Sequence, residues 1–474
     1  MVAVDLGAGS CRVSLLQWME GEPEVAVVHR FENAPVEDGD SLRWDIDRIC
    51  TGVEEGLRLC AELASEPIAS IGVDGWGVDY VRLTEQGRPR TPPFCYRDPR
   101  NEAAESAVHE RIGERRLYEL TGLQRLRFNT VYQLYADKLA GVPDEIQWLN
   151  LPEYVLHRLG GRRVSEYTNG THTGLIDLKT RGWCAEIFNA LGLDITAAPE
   201  LVQPGTDIGR LTGPLAELPA FQKTRLIAPA CHDTASAIAA IAHEGADDWA
   251  YLSSGTWSLL GTVQARPLNS EAAYRADFTN LGAAGGGICF HKSVNGMWLL
   301  RQCLDHWEKA GHTFSVSDLI ADAERAALPE GLLDVDHPEL MLPGDMPHRI
   351  NERRVEAGLL PIPEAAESAG VFASLIFHGL AKRYAEVLSE LASVTGKRFT
   401  TLQVVGGGGR NAFLNRLTAA ATGLKLQAGH VESSTIGNFA IQMAAFDRRG
   451  GDSGTPLLEE IGRCARVLER ANYE

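Results

Sequence analysis

The 474 residues are 44 % hydrophobic and 23 % charged, the balance of a globular enzyme, and exceed what one core usually supports, so two domains are expected. The formal charge of −18, with no offsetting basic block, argues against nucleic-acid and anionic-membrane partners. An anionic small molecule stays open, because a local loop and Mg²⁺ can overcome the wider field.

The opening "VAVDLGAGSCRVSLLQW" reads as strand, small-residue turn, strand. Asp5 ends the first strand, Gly7 and Gly9 occupy the turn, and Ser10 and Arg12 follow. Bare glycine backbone suits phosphate oxygens, and the neighbouring carboxylate suits a water-held Mg²⁺; an ordinary glycine-rich hairpin would look the same. A helix is expected in "DIDRICTGVEEGLRLCAEL", then strands in "SIGVD" and "VDYVRL". Asp74 and Asp79 flank Trp76 and Gly77, the ingredients of a sugar pocket or equally of a half-buried hairpin. "YRDPRN" reads as a turn with a surface ion pair.

Further on, "APACHDTASAIAAI" starts a helix at His232 and Asp233. Asp233 reads as its N-cap or, at the mouth of a cleft, as a positioned base. "AYLSSGTWSLLGTV" then repeats the opening gesture about 250 residues later, which suggests duplicated domains. The boundary falls near Ala240, giving domains 1–240 and 241–474. A long helix is expected up to Gly396, then a strand "TLQVV", four glycines and a helix. Gly406 and Gly408 followed by Asn411 fail the dinucleotide fingerprint, and no P-loop motif exists. "DVDHPE" fits no EF-hand. The nine scattered cysteines lack CxxC spacing and read as reduced thiols. With no leader-like opening and no apolar run of about 18 residues, a cytoplasmic location is expected.

These motifs, in this order, resemble the FGGY family of carbohydrate kinases, and within it the rhamnulokinase branch. The resemblance runs from Val2 to about Leu458 and is carried by "AVDLGAGSCRV", "IGVDGWGVDY", "YRDPRN", "FNTVYQL", "SEYTNGTHTGLIDLKTRGW", "HDTASA", "LSSGTWSLLG", "LPGDMPHRI", "VVGGGGRNAFLN" and "VESSTIGN". It implies an α/β fold of two actin-like (ribonuclease-H-like) domains around a deep cleft, the first binding sugar and the second ATP. The implied reaction transfers the γ-phosphoryl group of ATP to O1 of L-rhamnulose.

By position, the resemblance makes Asp233 the proton acceptor, with Gly77, His232, Thr234 and Ser293 on the sugar. Ala8, Gly9, Ser10, Cys11, Arg12, Thr256, Arg301, Gly406, Gly407 and Gly408 would contact ATP, and Asp5 would reach Mg²⁺ through water. "VESSTIGN" would lie at the adenosine end. Ser293 stands where relatives carry an Asn, with Asn295 or Gln302 as compensating candidates; Arg301 stands for a Gln, Gly75 for a Thr and Cys11 for a Gly. An ordinary carboxyl pKa of about 3.9 would keep Asp233 ionised at neutral pH. The partners are then a ketose and ATP, with monomer and dimer both open. The alternatives are a kinase for L-fuculose, L-ribulose or L-xylulose, a non-catalytic nucleotide-binding sensor on the same fold, and, weakened by the failed fingerprint, a dinucleotide-dependent oxidoreductase.

Overall fold

The computed structural model describes residues 1–241, 248–430, 432–449 and 456–473. In the first half, β1 (Val2–Leu6) and β2 (Ser10–Met19) form an antiparallel hairpin that sets Asp5 opposite Arg12. β2 pairs onward with β3 (Glu22–Glu32), and β4 (Ser70–Gly75) runs parallel to β1 on its other side, with Asp5 beside Asp74. The parallel pairing requires a crossover, which contains the helix α1 (Ile46–Leu63). Asp45 caps α1 by accepting the Arg48 backbone N–H at 3.0 Å. β5 (Thr206–Arg210) and β6 (Arg225–Ala228) complete the order β5-β6-β4-β1-β2-β3, and Asn472–Tyr473 adds parallel to β3.

Strand alternation decides which residues meet which helices. Val2, Val4 and Leu6 of β1, with Ile71 and Val73 of β4, face the cluster that includes Ile49, Val53 and Leu57 of α1. The opposite face carries Ala3 and Asp5 from β1, and Ser70, Gly72 and Asp74 from β4. β1 and β4 are buried along their whole length, as strands covered on both faces must be. The short helix α2 (Asp233–Ala239) follows β6 by a few residues.

The second half repeats the plan. β7 (Trp249–Ser254) and β8 (Trp257–Gln264) form a hairpin, then come β9 (Thr279–Gly282) and β10 (Ile288–Asn295). After the helix α3 (Ala369–Thr395), which ends on Gly396 in the left-handed conformation, β11 (Thr401–Val405) pairs parallel to β7. The helix α4 (Ala412–Thr422) leads to β12 (Lys425–Ala428), parallel to β11. The sheet order is β9-β10-β8-β7-β11-β12, so β10-β8-β7-β11-β12 reproduces β3-β2-β1-β4-β6. The hairpin repeat seen in the sequence marks two copies of one arrangement.

The sequence reading placed a single cut near Ala240. The compact units are discontinuous around it: Met1–Glu244, Val263–Phe290 and Glu432–Glu474 form one, Gly245–Thr262 and His291–Val431 the other. The returning segment holds the helices α5 (Ser433–Arg449) and α6 (Leu457–Leu468). Ile436, Phe439, Ala440 and Ala444 of α5 pack with Ala3, Ala230 and Ala235. Gly437 allows α5 to cross α2 closely, since a Cβ there would stand 1.7 Å from the Ser236 carbonyl oxygen. The opposite edge of α5 is polar at four-residue spacing: Ser434, Asn438 and Gln442. Gln442 accepts from the Ser70 hydroxyl at 2.6 Å and donates to the Val2 carbonyl at 3.0 Å. None of the described helices is long and apolar enough to cross a membrane.

Candidate active site

Three aspartates converge in the first unit because β1, β4 and α2 all end at the same edge of its sheet. Asp5 is 2 % exposed and accepts from Arg12 at 2.8 Å and from the Ser434 hydroxyl. Arg12 also pairs with Glu432, which holds Arg30 at 3.1 Å through its other oxygen. Asp74 accepts from Asn438 at 2.6 Å, while its second oxygen is buried without a partner. Burial, and then the charge of Asp5, push the Asp74 carboxyl well above the usual range against the Asn438 bond.

Asp233 differs in being open: 35 % of its side chain reaches solvent. Its pKa is nonetheless pushed up to about 7, first by the surrounding protein and then by the charge of Asp5, against the Thr234 hydrogen bond. The ordinary carboxyl pKa expected from the sequence is therefore corrected. So is the capping alternative: His232 occupies the N-cap position without a side-chain capping bond, and Asp233 is the first helical residue. Its oxygen instead accepts from the Thr234 hydroxyl at 3.1 Å and lies 3.6 Å from His232 Nε2. An accessible carboxylate titrating near neutrality is what a general base requires.

The backbone before Asp233 is clamped from both sides. The Cys231 carbonyl accepts from Gly75 N–H at 3.0 Å, and the Cys231 N–H donates to Glu166 at 2.8 Å. Glu166, fully buried, also accepts the Thr168 N–H at 2.8 Å and its hydroxyl at 2.5 Å. That hydroxyl oxygen accepts the His232 N–H at 3.4 Å. Behind it, Glu153 accepts the Glu166 N–H at 3.1 Å and Asn169 Nδ2 at 2.9 Å. Burial pushes the Glu166 carboxyl to about 8 and that of Glu153 to about 7.

The His232 ring meets His172 edge-on at 4.6 Å between centroids. Burial, then the neighbouring His232, hold His172 well below the usual imidazole range, so it is neutral. A Cβ on Gly77 would come within 2.3 Å of His172 Nδ1, which explains glycine there. Asp79 is corrected as a sugar contact. It accepts from Trp44 at 2.6 Å, Trp76 at 3.0 Å, Gln133 at 3.0 Å and the Tyr96 N–H at 3.2 Å. With its acceptor sites filled, it anchors the fold beneath the site.

In the first glycine turn, Asn33 clamps the loop through a 3.0 Å bond to the Gly7 carbonyl and its N–H to Gly9 at 3.2 Å. Nothing stands within 4 Å of a Cβ placed on Gly9. Ala8 and Ser10 are half-buried, whereas the Cys11 side chain is fully buried and burial pushes its thiol to about 12, so only its backbone is left for a ligand. In the second unit Thr256 is exposed at the β7–β8 turn, and the helix Trp298–Lys309 starts against that turn, Met297 N–H donating to Gly255 at 3.0 Å. Gly406 takes φ 84° at the end of β11, and Gly408 packs so tightly on Ser254 that a Cβ would stand 1.9 Å from its Oγ. Gly407 is exposed, with open space where a Cβ would be. Asn411 caps α4 through a 3.0 Å bond from the Leu414 N–H.

Ser293 is half-buried on β10. Asn295 cannot stand in for a missing sugar contact, because its side chain is spent on Val335 O, Leu340 O and Gly296 N–H. Gln302 is likewise committed, to Asp305 at 2.9 Å and the Gly344 N–H at 3.1 Å. Arg301, half exposed, is bound to Asp305 and Glu308 at 2.5 Å each. "VESSTIGN" is corrected most clearly: Glu432, Ser434 and Asn438 serve Arg12, Asp5 and Asp74 in the first unit.

The FGGY carbohydrate-kinase N-terminal domain profile matches residues 1–240, and its C-terminal domain profile matches residues 250–446. The chain belongs to the FGGY family of carbohydrate kinases. It is 36 % identical over 449 residues to a rhamnulokinase of Enterococcus faecalis, covering 94 % of this chain and 89 % of that protein. Against a rhamnulokinase of Enterobacter sp. the identity is 37 % over 454 residues, with the same coverage of 94 % and 89 %. The fold matches a ligand-bound xylulose kinase from Lactobacillus acidophilus with a TM-score of 0.75 at 17 % identity, covering 98 % of this chain and 91 % of that one. The repeated sheets are thus the actin-like (ribonuclease-H-like) domains of an FGGY kinase, a family that uses ATP as phosphoryl donor.

Sequence reading missed Asn33, Glu153, Glu166 and His172 as parts of this site. His172 lay inside a quoted motif, and its signal was a second histidine in a segment rich in small polar residues. Glu166 lay in the same quoted motif, and Glu153 carried no local signal.

Proposed function

We propose that this FGGY kinase transfers the γ-phosphoryl group of ATP to O1 of L-rhamnulose, giving L-rhamnulose 1-phosphate and ADP. The observation that carries the chemistry is Asp233, an accessible carboxylate with a pKa near 7 at the tip of a clamped strand–helix junction. Two rhamnulokinases at 36–37 % identity over nearly the whole chain support the choice of ketose. Phosphoryl transfer asks the protein chiefly for positioning and charge neutralisation. Asp233 orients the primary hydroxyl and takes its proton as the bond to phosphorus forms. His232 and neutral His172, with Gly77, Thr234 and Ser293, bind the sugar hydroxyls.

Ala8 to Arg12, Thr256, Arg301 and Gly406 to Gly408 are assigned to ATP. Open glycine backbone at Gly9 and Gly407 fits phosphate oxygens. Magnesium enters as the counter-ion of ATP and neutralises phosphate charge when bound. Among the described residues no group of three His, Cys, Asp or Glu side chains is placed to hold a metal. Asp5, already engaged by Arg12 and Ser434, fits only contact through water, consistent with an ion that keeps most of its hydration shell. The cytoplasmic location expected from the sequence is retained in this reading.

The test is ADP release with L-rhamnulose, L-fuculose, L-ribulose and L-xylulose in parallel, with Mg²⁺ present and then chelated. L-Rhamnulose is expected to give the highest kcat/KM, and chelation to abolish turnover. Preference for another ketose would overturn the substrate assignment, and sugar-independent ATP hydrolysis alone would overturn the kinase reading.

A further inference from the structure

On the first unit, the strand Tyr80–Arg82, the loop after it and the end of the helix Thr130–Leu139 enclose a cavity of about 250 Å³. Its charged lining is Arg82, Arg90, Arg100 and Asp137, and none of the residues assigned to sugar or ATP lines it. The single carboxylate is saturated. It accepts from Arg82 Nε at 2.8 Å, Arg100 at 2.5 Å and the Tyr80 hydroxyl at 2.7 Å. Burial alone would raise the Asp137 pKa, but Arg100 and Arg82 overcome it and hold the carboxyl below its ordinary value.

Three guanidinium groups therefore face one carboxylate, which leaves two positive charges in a chain of net charge −18. Arg90 is exposed and makes no side-chain ion pair or hydrogen bond among the described residues; only its backbone is held, to the Arg82 carbonyl at 2.9 Å. Arg100 Nε is sealed from solvent with no acceptor. The site is also stiff. Phe94 lies between Arg43 and Arg100, whose guanidinium carbons sit 3.9 and 3.5 Å from its ring centre, and Pro92, Pro93 and Pro143 line the remaining wall. One carboxylate cannot balance three guanidinium groups around a preformed cavity, and a bound anion would offset the excess.

We propose that this cavity binds a phosphate monoester of a small metabolite. Two uncompensated guanidinium charges match a dianion better than a monocarboxylate, and planar N–H forks suit tetrahedral phosphate oxygens. The proline wall accepts a short carbon chain, and the volume of about 250 Å³, just below the usual range of small-molecule pockets, favours a small phosphate ester over a nucleotide. The site does not depend on which ketose the kinase phosphorylates.

The experiment is calorimetric titration of glycerol 3-phosphate into the full-length protein at low ionic strength, with saturating ADP so that the nucleotide loops are filled. One site per chain is expected. Arg90→Glu should weaken it at least tenfold while leaving the unfolding temperature and ADP affinity unchanged, because that side chain makes no internal bond. Arg90→Lys should retain part of the affinity. Absence of binding in the wild-type protein with ADP present, or equal affinity in Arg90→Glu, would overturn the proposal.

Discussion

The pKa of Asp233 makes the enzyme's pH dependence a direct readout of the site. A base with a pKa of about 7 is about one-tenth ionised at pH 6 and about nine-tenths ionised at pH 8. Because the ionised form accepts the proton, kcat/KM for the ketose should fall about tenfold between pH 8 and pH 6. A carboxyl at its ordinary value would be almost fully ionised at both. The assay is initial-rate ADP formation from pH 5.5 to 8.5, with magnesium in excess to keep the nucleotide in one ionic form. Two variants identify the titrating group by moving the acid limb in opposite directions. Asp5→Asn removes a charge that raises the pKa and should shift the limb to lower pH. Thr234→Val removes the hydrogen bond that lowers it and should shift the limb upward. A profile flat from pH 6 to 8, or a limb that ignores both variants, would refute the reasoning.

Asp233→Asn should lower kcat by about 10²- to 10⁴-fold while calorimetry finds ketose binding within a few-fold of normal. Glu166→Gln keeps the volume but leaves one buried N–H, of Thr168 or Cys231, facing an amide donor. Borne at the Cys231–Asp233 junction, such a loss of about 1–3 kcal/mol should lower kcat about 5- to 150-fold in stopped-flow turnover with KM for ATP unchanged. Gly77→Ala forces His172 off its place and should raise KM for the ketose more than it lowers kcat. Gly408→Ala drives a methyl group into Ser254, so KM for ATP should rise and the unfolding temperature should fall.

The duplication was legible because a strand–glycine–strand hairpin is a local object, and the two copies begin sheets that share a five-strand order. Asp5, next to the end of a strand, and Asp233, at the start of a helix, also stand out locally, but the base role of Asp233 comes from the family resemblance and not from the local pattern. What lay beyond reach was contact across the chain. The apolar residues of α5 announce a buried helix, but no periodicity tells that Asn438 will meet Asp74, 364 positions earlier. Hence the sequence places "VESSTIGN" with the nucleotide, and a linear boundary near Ala240, although it agrees with the two family profiles, cannot show that the chain after Glu432 packs on the first unit. The raised pKa of Asp233 was hidden likewise, since the partial loss of hydration beside the protein and the Asp5 charge arise only once β1 and α2 meet. Asp79 misled in the other direction: beside Trp76 it looked like a sugar ligand, but Trp44 and Gln133, distant in sequence, had claimed its oxygens.

The return of α5 and α6 has a consequence for biosynthesis. As the protein emerges from the ribosome, its amino-terminal sheet has one bare side: Ala3, Ala230 and Ala235 wait uncovered for Ile436, Phe439 and Ala440. That surface stays sticky until translation has all but ended, so a fragment ending near residue 240 should aggregate. Supplying the peptide of residues 432–474 in trans should render it soluble.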